Sequence, residues 1–109
     1  PEMKHAAELK SQPDAITVRI TKRATGEVVY AVNVGERAPL PDDNNLATAA
    51  EALRQLDAKL VGLERPPEVR IACDKELPRS HVRDMAKALD ERRVAKKIAI
   101  YFAEVNEQK

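Results

Sequence analysis

The hydropathy pattern predicts an α+β domain: two layers in the order ββαβαβ, a mixed sheet and two helices on one face of it. Three observations carry this expectation. Ile16, Val18 and Ile20 alternate with Thr17, Arg19 and Thr21, the period of two of a strand with one buried face. Leu46, Ala50, Leu53, Leu56, Leu60 and Leu63 recur at spacings of three and four, the period of a helix with one apolar face. A second helical stripe, Val82, Met85, Ala86 and Leu89, is flanked by short apolar runs at 68–73 and 97–103. At 109 residues the chain is expected to form one domain with a modest core.

The elements follow in order. Residues 1–14 carry two prolines, many charges and no sustained apolar stripe, so they read as an arm. The domain is placed at 15–105, and 106–109 form a polar tail. After the first strand, 23–26 supply a turn in which Gly26 permits positive φ, and 27–34 form a second strand with Val28, Tyr30 and Val32 on one face. Gly35, Pro39, Pro41 and the following Asp and Asn residues predict a loop ending in a helix cap at Asp42, Asp43 or Asn44. The first helix then runs for four to five turns until Gly62 and Pro66-Pro67 stop it. Residues 68–73 are the third strand. The second helix starts near Pro78 or Arg79, because proline is tolerated in a first turn, and its stripe ends near Arg92. The last strand has Ile98, Ile100 and Phe102 alternating. Strands joined through a helix are usually parallel, which makes strands two, three and four the expected neighbours in the sheet. The last strand shows neither the proline nor the inward charge that commonly blunts an edge. Ile98, Ile100, Tyr101 and Phe102 are therefore candidates for an edge that a second copy covers.

Composition narrows the function. Charged residues reach 34 %, yet Ile, Val and Leu are too frequent for a disordered chain. With three aromatic residues and no Trp, a stacking platform for bases or sugars is not expected. A net charge of +1 provides no global field for nucleic acid, and none is expected as a partner. No apolar run approaches the roughly 18 to 20 residues of a membrane-spanning helix. The chain begins at Pro1 without an initiator methionine, which points to a processed chain or a piece of a longer one and leaves room for an N-terminal anchor.

No catalytic constellation is visible, and the chain reads as a non-enzyme without metal or cofactor. Cys73, Asp74 and His81 lie close in sequence, but Cys73 ends a buried strand, where cysteine acts as a small hydrophobe. The three glycines are scattered, so no phosphate loop exists. His5, His81 and Cys73 lack structural-zinc spacing. One charge feature stands out. Arg79, Arg83 and Lys87 lie four apart on one helix face, within a segment, 75–97, that holds eight basic residues against four acidic ones. They are candidates for contact with an acidic polymer or partner, against the plainer expectation of a solvated face on which Lys87 pairs with Asp90 or Glu91.

The segment from Val69 to Leu89 resembles the TolR/ExbD family. Val69 and Ile71 match its third strand, Cys73 stands in an alanine place, and Asp74 and Lys75 match its Asp-Lys pair. Leu77 and Pro78 supply the apolar-proline pair, and Val82, Met85, Ala86 and Leu89 are similar to the helix stripe that follows. Val94 and Ile98 resemble the start of the last strand. Residues 16–33 are similar to the opening hairpin and 46–63 to the first helix, while Pro1-Glu2 resembles the motif after the family's membrane helix. There are departures: Arg79 replaces a common aromatic, Arg93 stands where glycine is usual, and one extra residue precedes the last strand.

The resemblance implies a periplasmic domain anchored in the inner membrane by one N-terminal helix outside this chain. That helix would carry the family's proton-relaying aspartate. The implied partners are a second copy, a TolQ/ExbB-like multi-span protein, and a TonB/TolA-like envelope-spanning protein or peptidoglycan, in a motor driven by proton motive force. The implied role in biopolymer transport is non-catalytic, and Asp74, Lys75 and Pro78 are implied to be structural. TolR-like and ExbD-like roles both stay open. The competing expectation is a cytoplasmic α+β regulatory or nucleic-acid-binding module that uses the basic helix face.

Overall fold

The structure, a computed structural model, describes residues 15–35 and 40–104; the arm at 1–14 and the tail at 106–109 lie outside the described residues. The described elements are β1 (Ile16–Lys22), β2 (Val28–Val34), a 3-10 turn (Pro41–Asp43), α1 (Ala49–Leu60), β3 (Glu68–Cys73), α2 (Ser80–Val94) and β4 (Ile100–Glu104). The domain is α+β with a four-stranded mixed sheet and two helices, in the expected ββαβαβ order. No helix among the described residues is long and apolar enough to cross a membrane.

The strands lie in the order β2-β1-β3-β4, which corrects the expected neighbours. β1 pairs antiparallel with β2, Val18 facing Val32, and parallel with β3, where Val18 faces Ile71. β2 is thus antiparallel to β3 and separated from it by β1. The hairpin fixes β2 on one side of β1, Leu46 bridges Tyr30 on the outer side of β2, and β3 takes the other side of β1. The turn has the expected geometry: Gly26 adopts φ +95°, and the Arg23 N–H donates to the Glu27 carbonyl at 2.8 Å.

One face of the sheet carries Ile16, Val18, Ile20, Tyr30, Val32, Val69 and Ile71, which form a single buried cluster with Ala52 and Leu56 of α1 and Met85 and Leu89 of α2. Both helices therefore cover the same face. The other face holds Thr17, Arg19, Arg70 and Phe102 and has no helix over it among the described residues.

Helix α1 begins later than expected. The Thr48 hydroxyl accepts the Glu51 N–H at 3.1 Å, and the Glu51 carboxylate accepts the Ala47 N–H at 3.1 Å, a close variant of the reciprocal capping box. Asp42 and Asp43 belong instead to the 3-10 turn, and Leu46 forms an isolated bridge with Tyr30 along the outer side of β2. The buried face of α1 centres on Ala52 and Leu56; Ala50 and Leu63, assigned to it from spacing, are exposed.

Helix α2 ends in a Schellman motif. The Lys97 N–H donates to the Arg92 carbonyl at 2.8 Å and the Lys96 N–H to that of Arg93 at 2.9 Å, with Lys96 left-handed at φ 66°. Glycine is the usual residue at this position because a Cβ is strained there. Lys96→Gly is expected to stabilise the domain by about 0.5–1 kcal/mol, which thermal unfolding should register as a Tm rise of a few degrees. A fall in Tm would contradict the motif. The turn also corrects the last strand. Ile98 is buried in the turn before β4, while Ile100 and Phe102 face the open side and Tyr101 faces the helices.

Candidate interaction surfaces

β4 is an edge strand. It pairs in parallel with β3, from Glu68 facing Ile100 to Ala72 facing Glu104, and no strand among the described residues pairs with its other side. Ile100 is 53 % exposed and Phe102 41 %. The Arg70 guanidinium lies 5.9 Å from the centre of the Phe102 ring, within cation-π range, and Arg70 also meets Glu68 at 3.2 Å. Tyr101 points the other way, its hydroxyl donating to Asp90 at 3.2 Å. Of the four residues assigned to this edge from sequence, Ile100, Tyr101 and Phe102 lie in β4, and buried Ile98 does not.

Arg79, Arg83 and Lys87 are all exposed and follow one another along the outer side of α2. The Arg83 N–H donates to the Arg79 carbonyl at 3.0 Å, so the helical turn already starts there. Among the described residues none of the three makes an ion pair. The anticipated Lys87–Asp90 pairing is replaced by Arg93, whose Nε and Nη2 donate to Asp90 at 3.0 and 2.9 Å. These bonds, with that from Tyr101, hold the Asp90 carboxyl below the usual carboxylate range.

Arg92 is engaged inside the domain. Its Nε and Nη2 donate to the two carboxylate oxygens of Asp57 at 2.7 and 2.8 Å, and Nη1 donates to the Ala88 carbonyl at 2.9 Å, so one guanidinium ties α2 to α1. The bonds from Arg92 hold the Asp57 carboxyl below its ordinary value, more than its partial burial raises it. A carboxyl lowered on folding adds stability above its unfolded value, near pH 4, and loses it as the pH falls through the folded value. The Asp57 side chain is 44 % exposed, so solvent screening reduces the contribution. Asp57→Asn is expected to cost about 1 kcal/mol at pH 7, with the gap to the parent closing as the pH drops below about 4. Urea denaturation at several pH values measures this, and a gap independent of pH would contradict it.

Asp74 acts on the backbone. β3 stops pairing at Cys73, yet the next N–H of β1, that of Lys22, meets the Asp74 carboxylate at 3.4 Å, and the Asp74 N–H donates to the Ile20 carbonyl at 2.8 Å. The other carboxylate oxygen accepts the Glu76 N–H at 3.2 Å, and the Leu77 N–H closes the turn on the Asp74 carbonyl at 3.0 Å. Asp74 thus ends β3 and turns the chain toward Leu77, which packs against the core, and Pro78, just ahead of α2. Lys75 is exposed beside it. Burial, and then the Asp74 charge, push the Cys73 thiol up, away from the thiolate that a nucleophile needs. Among the described residues no group of three His, Cys, Asp or Glu side chains is placed to hold a metal ion.

Sequence reasoning foresaw none of the ion pairs, among them Asp57 with Arg92, Asp43 with Lys59 and Lys22 with Glu76. Each of these three joins separate segments, and residue types alone carried no signal for them. No protein-family model, curated protein or solved structure matches this chain.

Proposed function

We propose that this domain is a non-catalytic, self-pairing and partner-binding module of the TolR/ExbD kind, held at the inner membrane by an N-terminal helix and working in the periplasm. The free β4 edge carries this reading. Among the described residues no strand pairs with the outer side of Ile100–Glu104, which has Ile100 and Phe102 beside it, and a second β4 satisfies both the hydrogen-bonding and the apolar surface. The Asp74 turn gives the Asp-Lys-x-Leu-Pro segment a structural purpose consistent with the resemblance. The placement of the basic stripe fits as well. The described chain starts at Ala15, at the end of the sheet where β3 and β4 also begin, whereas Arg79 lies at the opposite end, just ahead of α2. A domain tethered through its N-terminus therefore turns Arg79 away from the membrane, where an acidic envelope polymer such as peptidoglycan, or a TonB/TolA-like protein, meets it.

Sedimentation equilibrium over a wide concentration range tests the pairing. A reversible dimer is expected, and Ile100→Lys is expected to weaken it at least tenfold while leaving the Tm within a few degrees, because the side chain is already exposed. A dimer unchanged by Ile100→Lys would reject the β4 interface. Peptidoglycan pull-down with Arg79→Glu, Arg83→Glu and Lys87→Glu then tests the stripe: retention that survives the charge reversals would count against it.

A further inference from the structure

The exposed large apolar side chains are unevenly distributed. At one end of the sheet the Gly35 N–H donates to the Ala15 carbonyl at 2.7 Å and the Ala99 N–H to the Pro67 carbonyl at 2.8 Å, so β2 finishes there and β1, β3 and β4 begin there. Both helices also finish at this end. Val61, 81 % exposed, and Leu63 stand on the turn after α1, and Val94, 66 % exposed, closes α2. Leu40 is exposed in the segment tied to the last turn of α1 through Asp43 and Lys59. Of the other large apolar residues exposed among the described ones, Ile100 begins β4 at this same end, facing the open side of the sheet, and Phe102 lies two residues further along; the opposite end has none.

We propose that this end of the domain docks on the lipid bilayer, with Val61 and Leu63 inserted at the headgroup boundary. This rests on the membrane-tethered reading given above. Three features favour a bilayer over a folded partner. Leu40, Val61 with Leu63, and Val94 come from three separate segments at this end, an arrangement that suits a fluid interface better than a complementary protein surface. Ala15, where the described chain begins, lies at the same end, so a tether on the N-terminal side brings this end toward the membrane rather than the Arg79 end. Arg65, Lys96 and Lys97 are exposed around the apolar turns, and their side chains suit anionic headgroups. The exposed acids at this end, Asp42, Glu64 and Glu91, nearly balance them, so apolar insertion contributes most and charge less.

Flotation of the whole chain with phosphatidylcholine vesicles, with and without phosphatidylglycerol, tests the proposal. Binding to both is expected, somewhat stronger with phosphatidylglycerol. Val61→Asp combined with Leu63→Asp is expected to lower the bound fraction at fixed lipid about tenfold without loss of Tm, both positions being exposed. Absence of binding to either vesicle, or binding indifferent to this pair, would overturn it. So would conversion of a dimer to monomer by the same pair, which would make this end a contact between copies. The tethered, self-pairing reading is judged separately by the response of the dimer to Ile100→Lys, read in the absence of vesicles.

Discussion

Replacing Lys59 by methionine is expected to cost about 3 kcal/mol of folding stability, although the site is a single ion pair in a chain rich in charge. Its environment sets the size. The Asp43 side chain is 3 % exposed, and Lys59 from the last turn of α1 reaches it directly. Exposed pairs such as Arg93 with Asp90 contribute little, because water replaces either partner. Asp43 has no such recourse: without the ammonium its carboxylate stays buried with no other ion-pair partner among the described residues, and that desolvation cost exceeds any gain from a better-packed methionine. Lys59→Met combined with Asp43→Asn is expected to be more stable than Lys59→Met alone, since a neutral amide is cheaper to bury than a charge. Chemical denaturation of the two variants and the parent measures this. A Lys59→Met protein within about 0.5 kcal/mol of the parent would show that the pair contributes no more than a surface bridge.

That pair also marks where the sequence stops being informative. Alternation at 16–21 and 28–32 located β1 and β2, and the apolar spacing of Val82, Met85, Ala86 and Leu89 located α2, because each is a local consequence of one buried face. Alternation says that a strand has one buried face; it does not say how many neighbours the strand has. Hence alternation does not identify β1 as a central strand, and adjacency through a helix suggests a β2–β3 pairing that the structure replaces with β1–β3, the outer side of β2 being met by the bridge from Leu46. The start of α1 was legible and overlooked: Thr48-Ala49-Ala50-Glu51 is a capping-box pattern, while the Asp42, Asp43 and Asn44 cluster ahead of it suggested an earlier cap. At β4 the period of two is real, but it runs through a turn. With apolar residues at 98, 100 and 102 and amphipathic Tyr101 among them, nothing local distinguishes the inner face from the outer. The left-handed Lys96, where glycine would have announced a helix end, concealed the break. Among the candidate sites, exposure of Arg79, Arg83 and Lys87 followed from helical spacing. The engagement of Arg92 with Asp57 did not, since it depends on how two helices lie across the sheet.

Leu89→Ala is expected to destabilise the domain by about 3 kcal/mol and to loosen β4 in particular. Leu89 is fully buried, and with Met85 it is one of only two wholly buried side chains that α2 gives the core. A domain of this size has a net stability on the order of 5–15 kcal/mol, so one cavity removes a large fraction of it. The loss falls unevenly. β1 is held by strands on both sides, whereas β4 has β3 on one side and otherwise depends on α2, through packing and the Tyr101–Asp90 hydrogen bond next to Leu89. Amide hydrogen exchange should therefore accelerate more in Ile100–Glu104 than in Ile16–Lys22, and dimer affinity should fall with it. Ile100→Lys is expected to act on the same edge by another route, lowering the proposed pairing while exchange in the monomer stays slow. If Leu89→Ala weakens the dimer and uniform acceleration across β1 and β4 accompanies it, then global unfolding explains the loss. Selective acceleration in β4 instead makes α2 the support that keeps the edge ready to pair, and links core packing to the proposed function of the strand.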